Sequence, residues 1–190
     1  YQSVSAIFNR GNAFVKEYSG VIQTARSIFA ETSKSGKIPV DKTEKMVSDT
    51  LEPLAKSSGT IDYLYELNHL ASDVYNHSLR VAILAGVIAK WMHFDKAKTT
   101  DIMLAGFLHD IGKTKFSERL LEKNVTKLQG DDYETYIQHT VDGHHILNQQ
   151  TGLSEGVKLS ALQHHERMDG SGFPFNCAGN SIHEYARIVM

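Results

Sequence analysis

Apolar positions recur every three or four residues along most of the chain, the spacing of helices with one buried face. Val4, Ile7, Phe8, Phe14, Val15, Tyr18, Val21, Ile22 and Ile28 predict a long amphipathic helix over 4–33. The segment SKSGKIP, 33–39, reads as a loop. Asp41 starts a second helix, with Glu44 three residues on as in a capping box, and it runs through Met46, Leu51 and Leu54 to a break at 57–59. A short helix is predicted over 61–70. At 73–92, Val74, His77, Val81, Leu84, Ile88 and Trp91 form one stripe, which puts His77 on the face predicted to be buried. Thr100 is the predicted cap of a helix that carries Ile102, Leu104, Phe107 and Leu108 into His109-Asp110. Ser117 opens a short helix. A longer one, about 131–150, carries His139 and His144 and stops at Gly152. The next, 154–165, ends in His164-His165, and a glycine-bearing loop, 166–181, leads to a last helical segment at 182–190. No run shows the period of two that a half-buried strand needs, and no repeat or low-complexity tract interrupts the pattern. The pattern predicts an all-α bundle of about seven to nine helices in one domain. Residues 1–60 read as N-terminal helices, integral to that domain or linking it to an upstream region, and 61–190 as its core. No Pro/Gly-rich hinge marks a cut.

Composition narrows the function. The chain has 190 residues, 41% apolar and 22% charged, with a net charge of −2. That balance excludes a strongly basic nucleic-acid surface and electrostatic attraction to membranes. The longest apolar stretch, Val81 to Met92, contains Lys90 and is too short to cross a bilayer. The sequence opens on Tyr1 without a signal peptide and reads as a fragment. The single cysteine, Cys177, makes no internal disulfide, which fits a reducing compartment. Ten histidines are the one departure from average composition.

Taken singly, the histidines have ordinary readings. His109-Asp110 is a polar helix end, His77 a core histidine, His139 a surface residue, and His164-His165 partners of a helix dipole. Jointly these readings fail, because each candidate lies on a different helix, and bundles build dinuclear metal sites from ligands that several helices deliver inward. Adjacent side chains on a helix diverge by about 100°. At a helix end His109 and Asp110 can still both reach a pair of metals roughly 3.5 to 4 Å apart, the carboxylate between them. The absence of cysteine from the set favours iron, manganese or zinc over a thiolate site. His69 and His93 are expected in or near surface turns and His183 on the surface, His145 has no partner logic of its own, and His144 is left outside the ligand set. Gly170-Ser171-Gly172 precedes Phe173-Pro174 rather than a helix, so it is not a phosphate loop.

The order of these pieces is His77, then HDIGK (109–113), then His139 with Gly143 four later, then HHERMDGSGFP (164–174). Over about residues 20–190 it resembles the HD-GYP branch of the HD-domain metal phosphohydrolases. The resemblance implies a helical HD-domain bundle and hydrolysis of the bacterial messenger cyclic di-GMP. His77, His109, Asp110, His139, His164 and His165 look like metal ligands, with Asp110 bridging. Asp110 and Lys113 are the expected catalytic residues, Lys113 meeting a substrate phosphate. Asp73, one turn before His77, is either an extra ligand for a third metal or an acid favoured by the helix dipole. Arg167, Asp169, Gly170, Gly172 and Pro174 make a loop facing substrate or partner, its glycines allowing positive φ and close approach. Phe173 stands where the branch name has tyrosine, so the ring is kept and the hydroxyl lost. Ala186 to Met190 look like the stretch preceding a further Asp ligand, so the bundle is expected to be truncated at its C-terminus.

The implied cofactors are two or three divalent ions, iron or manganese. The implied reaction opens cyclic di-GMP to pGpG, and on to GMP with a third metal, through a metal-bridging hydroxide. The implied partners are cyclic di-GMP, diguanylate cyclase (GGDEF) domains, an upstream sensory domain and a second copy in a homodimer, with no nucleic-acid polymer and no direct membrane contact. The expected location is the bacterial cytoplasm. The alternatives are an HD phosphohydrolase acting on another nucleotide, and a non-hydrolytic module that binds cyclic dinucleotides or proteins.

Overall fold

The computed structural model describes residues 4–67, 73–121 and 123–190. Helix α1 (Val4–Ser35) is followed by α2 (Val40–Met46), a π turn (Val47–Leu51), α3 (Glu52–Lys56) and α4 (Thr60–Glu66). Then come α5 (Val74–Trp91), α6 (Lys96–Leu108), a 3-10 turn (Ile111–Lys115) and α7 (Glu118–Leu121). The last helices are α8 (Asp131–Asn148), α9 (Glu155–Gln163) and α10 (Glu184–Val189). Among the described residues there is no strand, only an isolated bridge between Asp169 and Ala178. The all-α expectation holds. The short helix expected over 61–70, and His69, fall partly outside the described residues.

One apolar core joins the helices. Phe14, Tyr18, Val21, Ile28 and Phe29 of α1 pack into the same buried cluster as Leu51, Leu79, Ile83, Phe107, Leu108, Ile111, Leu147 and Val157. Residues 40–56 form a continuous helix that widens into the π turn just ahead of Pro53, which has no N–H to give to the carbonyl of Asp49. The capping box expected from Asp41 and Glu44 does not form. Pro39 occupies the N-cap position without a side-chain bond, and Asp41 lies inside the first turn. Nor does Thr100 cap α6. Asp95 does, its Oδ1 accepting from Lys98 N at 2.8 Å, while the Thr100 hydroxyl donates to Glu52 Oε1 at 2.5 Å.

The stripe predicted to be buried on α5 lies along the rim of its packed face, with Val74, Val81 and Ile88 half-buried. Leu84 is 40% and Trp91 64% exposed, whereas Leu79, Ala82, Ile83, Gly86 and Val87 face inward. Here α5 and α6 come unusually close. A Cβ on Gly106 would lie 2.9 Å from Ala82 Cα, and one on Gly86 2.7 Å from Met103 Sδ. Such approach selects small side chains at the crossing, so the largest apolar residues do not mark the buried face. His77 accordingly lies at the edge of α5's packed face, its side chain 49% exposed.

Candidate metal centre

The end of α6, the 3-10 turn, α8 and the end of α9 converge on one point. His109 is the last residue of the α6 spiral (φ −55°, ψ −37°), and Asp110 leaves it (φ −97°, ψ 12°) to start the 3-10 turn. That change of course lets two adjacent side chains serve one interior site. Gly112 then lies flush against α8, where a Cβ would come 1.9 Å from the His139 carbonyl oxygen and 2.7 Å from Gly143 N. Two glycines thus bring Asp110 to His139. On the other side, His164 closes α9 and the following loop folds back. Phe173 N donates to the His165 carbonyl at 3.1 Å. Gly170 has φ +78°, and a Cβ on Gly172 would lie 2.4 Å from Glu166 Cα.

Asp110 is buried between two sets of imidazoles. Its Oδ1 lies 3.2 Å from His139 Nε2 and 3.5 Å from His164 Nε2. Its Oδ2 lies 3.3 Å from His109 Nε2, 3.7 Å from His77 Nε2 and 2.7 Å from Lys113 Nζ. His77 and His109 face each other Nε2 to Nε2 at 3.2 Å, as do His139 and His164. Asp110, His139, His164 and His165 form one group of converging ligand atoms, and His77, His109 and Asp110 a second, each within 4.8 Å.

The donors fit divalent cations. The Nδ1 atoms of His109, His139 and His164 are tied to the backbone carbonyls of Gly106, Tyr136 and Ala161. A carbonyl only accepts, so the proton sits on Nδ1 and each Nε2 presents a lone pair. Lone pairs then face lone pairs and a carboxylate, and buried Asp110 Oδ1 has no hydrogen-bond donor. A cation turns this repulsion into ligation. The protonation states agree. Burial first, then the neighbouring His109, pushes His77 down to about 4. Burial does the same to His164 against the pull of Asp110, and takes His165 down to about 2, so all three stay neutral at pH 7.

The structure brings together six of the predicted ligands and Lys113, but not Asp73. Asp73 caps α5, its Oδ1 accepting from Asn76 N at 2.8 Å while its Oδ2 pairs with Arg26 at 2.9 Å. Arg167 and Asp169 are exposed and 3.7 Å apart, and Gly170, Gly172 and Pro174 shape the loop beside His165. His144 is part-buried outside both groups, exposed His145 contacts Gln149, and His93 closes α5 at φ 56°. His183, expected at the surface, is part-buried, and its Nδ1 accepts from Tyr185 N to cap α10.

Two further residues matter here. Tyr136 Oη lies 3.1 Å from His165 Nε2, and burial, helped by the Asp110 charge, raises its phenol to about 12. Buried Glu166 accepts from Phe175 N and Cys177 N and so pins the loop. Tyr136 stands one turn before His139 and Glu166 directly after the histidine pair, which is the only trace either leaves in the sequence.

A helical bundle with a His-Asp pair at one helix end and histidines converging from its neighbours is an HD-type arrangement. A family model of the HD domain matches residues 42–190, and the chain belongs to that family. It is 38% identical to a cyclic di-GMP phosphodiesterase of Thermotoga maritima over 123 residues, 60% of this chain and 33% of that protein. It is 27% identical to the cyclic di-GMP phosphodiesterase PA4108 of Pseudomonas aeruginosa over 162 residues, 85% of this chain and 39% of that one. With the 3'3'-cGAMP-specific phosphodiesterase 1 of Vibrio cholerae the figures are 33% over 115 residues, 60% and 26%. The chain therefore spans well under half the length of these curated relatives. The solved structure of Bd1817, a HDG"Y"P protein from Bdellovibrio bacteriovorus, shares the fold with a TM-score of 0.74 at 16% identity, covering 91% of this chain and 56% of that one. These relatives bear out the resemblance to the HD-GYP branch.

Proposed function

We propose that the chain is the catalytic part of a metal-dependent phosphodiesterase that opens cyclic di-GMP to linear pGpG. The observation that carries this reading is the buried Asp110 carboxylate, which directs one oxygen toward His139 and His164 and the other toward His77 and His109. His77 and His109 would hold one divalent ion and His139, His164 and His165 another, with Asp110 shared. Bound there, the ions supply Lewis acidity toward the phosphodiester and the attacking water. Nitrogen and oxygen donors without thiolate favour iron or manganese. The chain's own part is preorganisation. Backbone carbonyls fix three imidazoles in the ligating tautomer before any ion arrives. Lys113, 2.7 Å from Asp110 Oδ2 and 17% exposed, offers its ammonium to the non-bridging oxygens of the phosphodiester. Asp73, engaged by Arg26 and Asn76, has no part, so the proposed product stops at the linear dinucleotide.

Side chains from Phe14 to Ala55 share the apolar core of the later helices, and residues 1–60 are proposed to act as one unit with 61–190, joined upstream to a sensory domain. The exposed loop residues Arg167, Met168 and Phe175 are the proposed contact for a diguanylate cyclase (GGDEF) domain, and a homodimer is a further proposed assembly. No described helix is long and apolar enough to cross a membrane, and free Cys177 supports a cytoplasmic location. A second reading, 3'3'-cGAMP as substrate, draws on the Vibrio cholerae relatives, and a panel of cyclic dinucleotides separates the two.

The test is His109→Ala and Asp110→Ala, followed by elemental analysis and turnover of cyclic di-GMP. Both variants are expected to lose bound metal and at least about 100-fold in turnover with helix content intact. Full turnover in either refutes the reading. Lys113→Ala is expected to keep its metal and lose about 10- to 100-fold in kcat/KM. Loss of metal there would make Lys113 a support of the ligand Asp110 instead.

A further inference from the structure

The clustered histidines do not use their nitrogens alike. His109, His139 and His164 give Nδ1–H to a carbonyl and turn Nε2 to the cluster. His165 reverses this arrangement. Its Nε2 lies 3.1 Å from Tyr136 Oη, and no described group bonds its Nδ1. The plane of its ring is already held, with the Phe173 ring stacked on it at 4.6 Å and 24° and the His164 ring at 4.2 Å. What remains to be decided is which nitrogen carries the proton.

We infer that Tyr136 is a positioning residue whose hydroxyl oxygen accepts from His165 Nε2–H, so that His165 offers Nδ1 to the divalent ion it would share with Asp110, His139 and His164. The inference rests on the metal reading above. Ligating histidines commonly pass their other N–H to an acceptor that fixes tautomer and orientation. Carbonyls do this for His109, His139 and His164, and Tyr136 does it for His165, where no carbonyl is in place. The inversion also explains how two consecutive residues reach one ion. Their side chains leave the backbone in different directions, and Nδ1 and Nε2 give the two rings different reach. Phe173 needs no hydroxyl for its share, because its ring only holds the plane of His165.

Imidazole 1H–15N spectra of the metal-free chain test the inference, with the His165 signals assigned by their loss in His165→Gln. The expected result is His165 protonated on Nε2, with His109, His139 and His164 protonated on Nδ1. Tyr136→Phe keeps the ring and removes the acceptor. It is expected to blur the His165 tautomer and to weaken the binding of one Mn2+ by about 10- to 100-fold while the metal-free melting point stays within a few degrees. A wild-type His165 protonated on Nδ1 overturns the inference, and so does a Tyr136→Phe chain that binds Mn2+ as tightly as wild type. If the wild-type chain takes up no divalent ion, the metal reading fails, and the wild-type spectrum still decides the role of Tyr136.

Discussion

Glu166 is 1% exposed, and its two oxygens accept from Phe175 N at 2.7 Å and Cys177 N at 2.9 Å. Glu166→Gln turns an amide NH2 toward one of these N–H groups, leaving two donors facing each other. The expected cost is about 2 kcal/mol, read as a lower urea midpoint with earlier proteolytic cleavage within 167–178. Unchanged stability would show that the Asn176 side chain, 2.6 Å from the Gly172 carbonyl, holds the loop without it. At this scale the sequence was informative where chemistry is rare and silent where it is common. His77, His109, His139, His164 and His165 stood out because imidazoles on separate helices share few purposes. Tyr136 did not, since an aromatic residue at helical spacing looks like core. The partners of Glu166 are backbone amides, which no side-chain pattern displays.

Among the elements, the contact of the 3-10 turn with α8 is the least forgiving. Gly112→Ala places a methyl group 1.9 Å from the His139 carbonyl oxygen, too close for either backbone to stay in place. A loss of about 3 kcal/mol with impaired metal uptake is expected from thermal denaturation and elemental analysis. Gly143→Ala, whose Cβ would meet its nearest neighbours at 3.3 and 3.4 Å, should cost only about 1 kcal/mol. Equal melting points for the two variants would remove this contact as the reason Asp110 reaches His139. Among the described residues helix existence was legible, because spacing reports it directly. Helix rotation was not. On α5 the bulky residues Leu84 and Trp91 lie outside and Ala82 and Gly86 inside, since the closest packing is made by the smallest side chains.

For the whole molecule, the imidazoles of the cluster set the acid limit. His77 and His164 titrate near 4 and His165 near 2 in the folded chain, against an ordinary value of 6.5. Below 6.5 the unfolded chain therefore binds protons that the folded chain refuses. The stability these groups contribute is whole above pH 6.5 and drains away as the pH falls toward 4 for His77 and His164, and further, toward 2, for His165. Metal-free protein followed by circular dichroism should begin to unfold within that window, and Mn2+ should move the transition to lower pH because it competes with protons for the same nitrogens. An acid transition that starts only below pH 4 would mean that these histidines are not held neutral in the native state.

The seam between α5 and α6 reaches further than its own packing. One helix begins three residues before His77 and the other ends one residue before His109, so the pair works like tweezers, with Ala82, Gly86 and Gly106 at the pivot and the two nitrogens at the tips. Added bulk at the pivot would reset the gap at the tips, and with it the size of ion the jaws can grip, while every ligand kept its identity.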